Sequence, residues 1–382
     1  MQSLGKPIFS RADILINVLA YAPLGLLLGL WLQRRGAKAA ALVLAALLGA
    51  VLSLSVEWVQ AYLPARVTSL IDFGTNIFGT FLGALLARLV DPESAFGKLL
   101  HDLKSGWFKP GALTNMGLIA IVLWALSQTS PFVPSLDLGN LKQGLAPIAD
   151  WVRGSSEFKF GQAAVYTLNI VALCLLARTL GRVRKPVLML FWLFAGAVLL
   201  YKVPVVGRQL SPEALAGWFV ALLVVVPFLA LAGASVALAA MVLLVAGFSV
   251  AELQIDPVAQ RYAFNSVPFL GQMETLNGLG GILESLWPFL ALGYLARYAA
   301  PATGGAGRAI FGGLLVFALV FGLEYYQQFL PGRHGDITVV LLAIMGWTVP
   351  WLFGARRSEE EWHAAAKPFQ QRRRRDFQRR NL

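Results

Sequence analysis

Long apolar runs, broken by short polar and basic stretches, recur from one end of the chain to the other. Ile14 to Leu32, Ala39 to Val56 and Leu215 to Leu231 are typical. Each approaches the roughly 20 residues that an α-helix needs to cross bilayer hydrocarbon. Lipid offers backbone amides no partner, so such runs form either helices or a closed barrel. Barrel strands alternate polar and apolar residues over about ten positions. These runs do not alternate, and the pattern predicts an all-α, polytopic integral membrane protein. Eleven spans are predicted, over 13–33, 38–62, 70–90, 112–128, 162–178, 186–203, 213–231, 234–250, 277–297, 308–329 and 335–353. The stretch 213–250 is apolar throughout. A single helix of that length would reach about 57 Å at 1.5 Å per residue, so it is divided near Leu231-Ala232-Gly233-Ala234.

Charge gives the spans a direction. With the N-terminus outside, the inner segments hold 22 of the 32 basic residues and the outer segments ten. That bias follows the positive-inside rule and places the C-terminus inside. Only 14% of the 382 residues are charged, well under the quarter usual in soluble domains. The net charge of +12 comes in large part from the tail, where Arg372 to Arg375 and Arg379-Arg380 suit an anionic inner leaflet. Membrane lipids, not nucleic acid, are therefore the expected partners. Cys174, inside an apolar run, is the single cysteine, so no internal disulfide can form. The first span is read as a retained helix, because Gln33-Arg34-Arg35 follows it directly and no small-residue cleavage site does.

Two segments outside the spans have helical periodicity. Phe96, Leu99, Leu100, Leu103 and Trp107 form one apolar face, which predicts an amphipathic helix on the inner surface. Leu141, Leu145, Ile148 and Val152 form a similar stripe outside, either a cap packed on the bundle or a ligand lid.

A motif appears twice without gaps. Glu57-Trp-Val-Gln60-Ala-Tyr-Leu-Pro64-Ala-Arg66 is followed by Gly79, and Glu324-Tyr-Tyr-Gln327-Gln-Phe-Leu-Pro331-Gly-Arg333 by Gly346 at the same offset. The copies lie on the second and tenth spans, and the even offset makes the duplication parallel. Ser53, Glu57 and Gln60, at i, i+4 and i+7, share a helix face near the outer end of the second span. Asp72 and Asn76 begin the third span, and Asp13 and Asn17 the first, from the same side. Seven polar residues from three helices are thus expected at one depth, with Arg66 as the nearest cation to Glu57. An ionised group facing lipid costs about 2.5–3.5 kcal/mol, so this cluster is expected to face the bundle. It is either a structural clasp or a binding site. The second copy offers Glu324, Gln327, Arg333, His334 and Asp336, with Val339 and Ala343 where the first has Asp72 and Asn76. Gly25-x-x-x-Gly29 and Gly79-x-x-x-Gly83 are small-residue faces suited to close helix packing.

At these residues the chain resembles the VanZ-like membrane family, named for a protein linked to low-level teicoplanin resistance. The resemblance rests on Asp13, Asn17 and Pro23-Leu24-Gly25, then on Glu57, Gln60, Pro64, Arg66, Asp72, Asn76 and Gly79. It divides the chain into a VanZ-like module at 1–90, a central region at 91–253, a divergent second module at 254–353 and a basic tail at 354–382. It implies a cell-envelope role at the outer side of a bacterial plasma membrane. The leading expectation is binding or handling of an envelope component, such as a lipid-linked glycan, a cell-wall precursor or an anionic headgroup. Arg66 and Arg333 would meet phosphate or carboxylate, and the acids and amides would orient them or bind hydroxyls. A glycan ligase or transferase and a secondary transporter are the alternatives. The chain has no HExxH, no GxSxG, no phosphate-binding glycine loop and no His/Cys metal set, so neither a cofactor nor a metal is expected.

Overall fold

The computed structural model describes residues 11–37, 40–60, 70–91, 93–182, 185–255, 260–270, 278–300 and 305–353. Its elements are helical, and pairing between extended segments is limited to isolated bridges among the described residues. The helices are α1 Arg11–Arg34, α2 Ala41–Gln60, α3 Leu70–Leu89, α4 Ala95–Trp107, α5 Ala112–Thr129, α6 Leu138–Val152, α7 Phe160–Leu180, α8 Val187–Tyr201, α9 Pro212–Val224, α10 Ala234–Glu252, α11 Gly278–Ala299, α12 Gly305–Gln327 and α13 Ile337–Phe353. Among the described residues, eight helices are long and apolar enough to cross a membrane, and three shorter apolar helices accompany them. The chain is a multi-pass helical membrane protein.

The division of 213–250 falls where the sequence puts it, between a span that ends at Ala230 and α10, which begins at Ala234. Helix α9 ends at Val224, a 3-10 turn covers Val226–Ala230, and Gly233 takes φ +56°. Pro227 lacks an amide hydrogen and so cannot continue the α9 ladder. Arg178 of α7 donates to the freed carbonyls of Phe228 at 3.0 Å and Leu231 at 2.8 Å. The break is therefore satisfied from inside the protein.

Helices α1 to α3 pack on one another, with α1 against α3 the closest pair. Glycine is what allows the approach. A β-carbon on Gly25 would strike the Thr80 carbonyl, and one on Gly79 the Val18 carbonyl. Helices α11 and α13 approach in the same way: Gly293 faces the Trp347 carbonyl and Gly346 the Leu286 carbonyl. The main core is built around α7, where Ile170 through Ala177 are buried without interruption against α5, α8, α9, α10 and α11.

The segments between helices gather at two ends of this bundle. At one, Arg182 donates from Nε to the Phe108 carbonyl at 3.2 Å, and the Lys109 ammonium donates to the Thr179 carbonyl at 3.0 Å. Helix α4 lies at this end, capped by Ser94 accepting from the Gly97 amide at 2.8 Å. Its Phe96, Leu99, Leu100 and Leu103 are exposed, as the amphipathic reading predicts. At the other end, α6 bears on the segment after α8: Asn140 donates to the Pro204 carbonyl at 3.0 Å, and Gly144 sits against the Val203 backbone. Ile148 packs on the core, whereas Val152 and Leu145 of the predicted stripe are exposed.

Candidate ligand chamber and polar clusters

The polar groups of the first module meet in pairs across helices. Asn17 of α1 donates to Asp72 of α3 at 2.7 Å. Asn76, four residues further along α3, donates to Ser53 of α2 at 3.0 Å, and Tyr21 of α1 bonds the same serine. Ser53 and Asn76 are buried, and Asn76 Oδ1 accepts no bond among the described residues. Glu57 lies one helical turn beyond Ser53 and is half-buried. The three helices thus bring together Asn17, Ser53, Asp72 and Asn76, with Glu57 near them. The side chains of Asp13 and Gln60, and all of Pro64 and Arg66, lie outside the described residues.

The second motif is fully described, and it grips α10. Gln327 donates to the Glu252 backbone carbonyl at 3.2 Å and to the Glu252 carboxylate. Arg333 donates from Nε to the same backbone carbonyl at 3.1 Å, and one of its terminal nitrogens bonds the Ala251 carbonyl and the Glu252 carboxylate, the latter at 3.1 Å. The last carbonyls of a helix have no partner within it, and a cation suits the negative end of its dipole. Arg333 therefore caps α10 while pairing with its terminal acid. Glu324 is 1% exposed and accepts the Asp336 backbone amide at 2.8 Å. Asp336 in turn accepts from the amide and the hydroxyl of Thr338, at 2.8 and 2.6 Å. A β-carbon on Gly335 would strike the Glu324 carbonyl, so glycine lets the turn fold back onto α12. His334 stacks on Tyr262, ring centroids 3.5 Å apart.

Beside this motif, at the α6 end, lies a partly open chamber of about 1320 Å³. Known small-molecule pockets run to about 1,000 Å³, so it can take more than a drug-sized ligand. Helix α7 contributes Gln162, Tyr166 and Asn169, spaced i, i+4 and i+7 on one face. Trp124 and Gln128 come from α5, Glu252 from α10, Glu284 and Ser285 from α11, and Ala146, Pro147 and Asp150 from the cap helix α6. His334 and Asp336 are the predicted residues that reach its wall. From Phe160 at the start of α7 to Ile170 at the chamber's base is about 15 Å along the helix, half the thickness of the hydrocarbon. Beyond Ile170 the buried run of α7 closes the floor.

Most of its charged residues come from the central region, which sequence reasoning passed over. Lys202, just past α8, is 6% exposed. Arg208 follows in the same loop and lies 3.8 Å from Glu284, whose half-exposed carboxylate looks into the chamber. Glu213, 5% exposed, accepts the Lys159 amide at 2.9 Å at the start of α7. The i, i+4, i+7 polar stripe on α7 was the available signal. Lys202 and Arg208 read instead as ordinary loop charges. Among the described residues, no group of three or more His, Cys, Asp or Glu side chains could hold a metal ion.

Comparison with known proteins adds one finding. The VanZ/LLP1 family model matches residues 2–91, which cover α1 to α3 and the first copy of the motif. No curated protein and no solved structure matches the chain. Over residues 2–91, then, the chain is similar to the VanZ/LLP1 family.

Proposed function

We propose that this protein binds a hydroxylated, anionic envelope component, such as a lipid-linked glycan, at the outer face of a bacterial plasma membrane. The chamber carries the reading. It combines amide and carboxylate side chains, which match the paired donors and acceptors of sugar hydroxyls, with the aromatic walls of Trp124, Tyr166 and Trp287. A lipid-linked sugar would present its polar head at this depth.

The orientation belongs to the same proposal. Arg178, Arg182, Lys104, Lys109, Arg297 and Arg308 belong to the end opposite the chamber. By the positive-inside rule that end is cytoplasmic, with eleven spans, the N-terminus outside and the basic tail inside.

The two ends of the chain are read as copies of one module. Support comes from packing register: Val18 and Gly25 are seven residues apart on α1 and meet Gly79 and Thr80, while Leu286 and Gly293 are seven apart on α11 and meet Gly346 and Trp347. In the first module Asn17, Glu57, Asp72 and Asn76, with Asp13, Gln60 and Arg66, would hold a headgroup at the same membrane face. In the second, the Gln327–Arg333 grip on Glu252 braces a wall of the chamber.

The test is binding of a radiolabelled polyprenyl-linked oligosaccharide to the purified full chain. Binding should weaken at least tenfold in Gln162→Leu and Asn169→Leu, which remove hydrogen-bonding groups from the chamber wall at a similar side-chain size. Wild-type affinity in both variants would sink the proposal.

A further inference from the structure

We propose that the chamber wall around Lys202 and Arg208 seats a phosphate-type anion, the charged end of the ligand proposed above; the inference rests on that reading. The argument begins with an imbalance of charge. The Lys202 ammonium donates to Gln128 Oε1 at 3.3 Å and to the Tyr166 hydroxyl at 2.9 Å, and it lies 5.3 Å from the centre of the Tyr166 ring. All of these partners are neutral. Among the described residues, no carboxylate lies within 4.0 Å of it. Burying a cation without a counter-charge is unfavourable, yet this one is held at the chamber wall rather than turned out to bulk water.

Arg208 stands beside it. Both cations are anchored to the C-terminal end of α5: Lys202 on Gln128, and Arg208 on the carbonyls of Ser130 and, at 3.2 Å, Ser127. Glu284 is the acid that faces them, and it comes within ion-pair distance of Arg208 only, at 3.8 Å. One acid therefore answers two cations. The other buried acids of the chamber are engaged elsewhere. Glu213 accepts the Lys159 amide, Glu252 holds Arg333, and Asp336 accepts from Thr338. An oxyanion entering from the chamber would meet the third Lys202 proton and the Arg208 guanidinium together. Lysine serves phosphate as a point charge and arginine as a donor fork, and a tetrahedral anion has oxygens for both.

The experiment uses the purified full chain in a non-glycosidic detergent, with three probes: a polyprenyl phosphate, the matching uncharged polyprenol, and inorganic phosphate. The polyprenyl phosphate should raise the melting temperature by several degrees, and the polyprenol should not. Lys202→Met should weaken binding of the phosphate at least tenfold, and Lys202→Arg should restore it to within about threefold. If Lys202→Met does not fold, Arg208→Gln is the second variant, with a loss of at least fivefold expected. Competition by millimolar inorganic phosphate would support the seat and name a free anion as sufficient. Absence of competition, with Lys202-dependent binding retained, would support it with the lipid as the source. Equal binding of phosphate and polyprenol, or undiminished binding in the variants, would overturn it. If the labelled oligosaccharide still binds Lys202→Met at wild-type affinity, the anion seat falls while the glycan reading stands. If the oligosaccharide fails to bind the wild-type chain, it is the glycan reading that falls.

Discussion

Single residues divide here into those that let helices meet and those that face the chamber. Gly25, Gly79, Gly293 and Gly346 are the first kind, because each holds a backbone too close for any side chain. Gly79→Leu and Gly346→Leu should each sharply reduce the yield of monodisperse protein in size-exclusion chromatography, whereas Gly106→Leu on exposed α4, with open space around it, should not. Arg333 belongs between the two kinds. Removing it would take the cation from the Glu252 carboxylate and a donor from the Ala251 and Glu252 carbonyls, leaving Gln327 as the side-chain donor to Glu252. Hydrogen bonds to charged groups contribute about 1.5–3 kcal/mol, so Arg333→Gln should lower stability by about that much in a thermal or denaturant scan. Because the partners are coupled, Arg333→Gln with Glu252→Gln should cost less than the sum of the single changes.

At the scale of elements, the two non-spanning helices make opposite use of the same amphipathic pattern. Helix α6 turns Ala146, Pro147 and Asp150 toward the chamber, and Gly144 fixes it against Val203. Helix α4 leaves Phe96, Leu99, Leu100 and Leu103 exposed, a face that a bilayer surface would cover. A spin label at Leu99 should then be relaxed by oxygen and shielded from a water-soluble nickel complex, with the reverse at Asp102. Equal access of the nickel complex at both positions would place α4 in water. Periodicity made both helices legible, and hydropathy located the spans to within a few residues. It placed the division of 213–250 near Leu231–Ala234, where the two spans separate, but not the change from α-helix to 3-10 turn before it, since Val224 to Leu231 is apolar throughout. Pro227 marks the place by its missing donor, a signal that hydropathy does not carry.

For the whole molecule, the division of labour differs from what the repeated motif leads one to expect. The motif was legible because Glu, Gln, Pro, Arg and Gly recur in register, and in its second copy Gln327 and Arg333 serve as a grip on α10. The chamber was not legible. Lys202 and Arg208 share the loop after α8, Glu213 starts α9, Glu252 ends α10 and Glu284 lies within α11, and only the fold brings all five together. A lone charge beside an apolar run looks like a topology signal whether or not it lines a cavity. The N-terminal module, which carries the family likeness, and the central region, which supplies most of the chamber's charge, are therefore separate parts of the account.

The central claim is that this chamber opens to the outside of the cell. Single cysteines can test it in a Cys174→Ala background, since Cys174 is the native thiol and is buried. A membrane-impermeant maleimide applied to intact spheroplasts should label Ser156→Cys at the chamber rim. It should label Asp102→Cys on α4 only after lysis. Labelling of Asp102→Cys in sealed cells, with Ser156→Cys protected until lysis, would turn the molecule over and contradict the account.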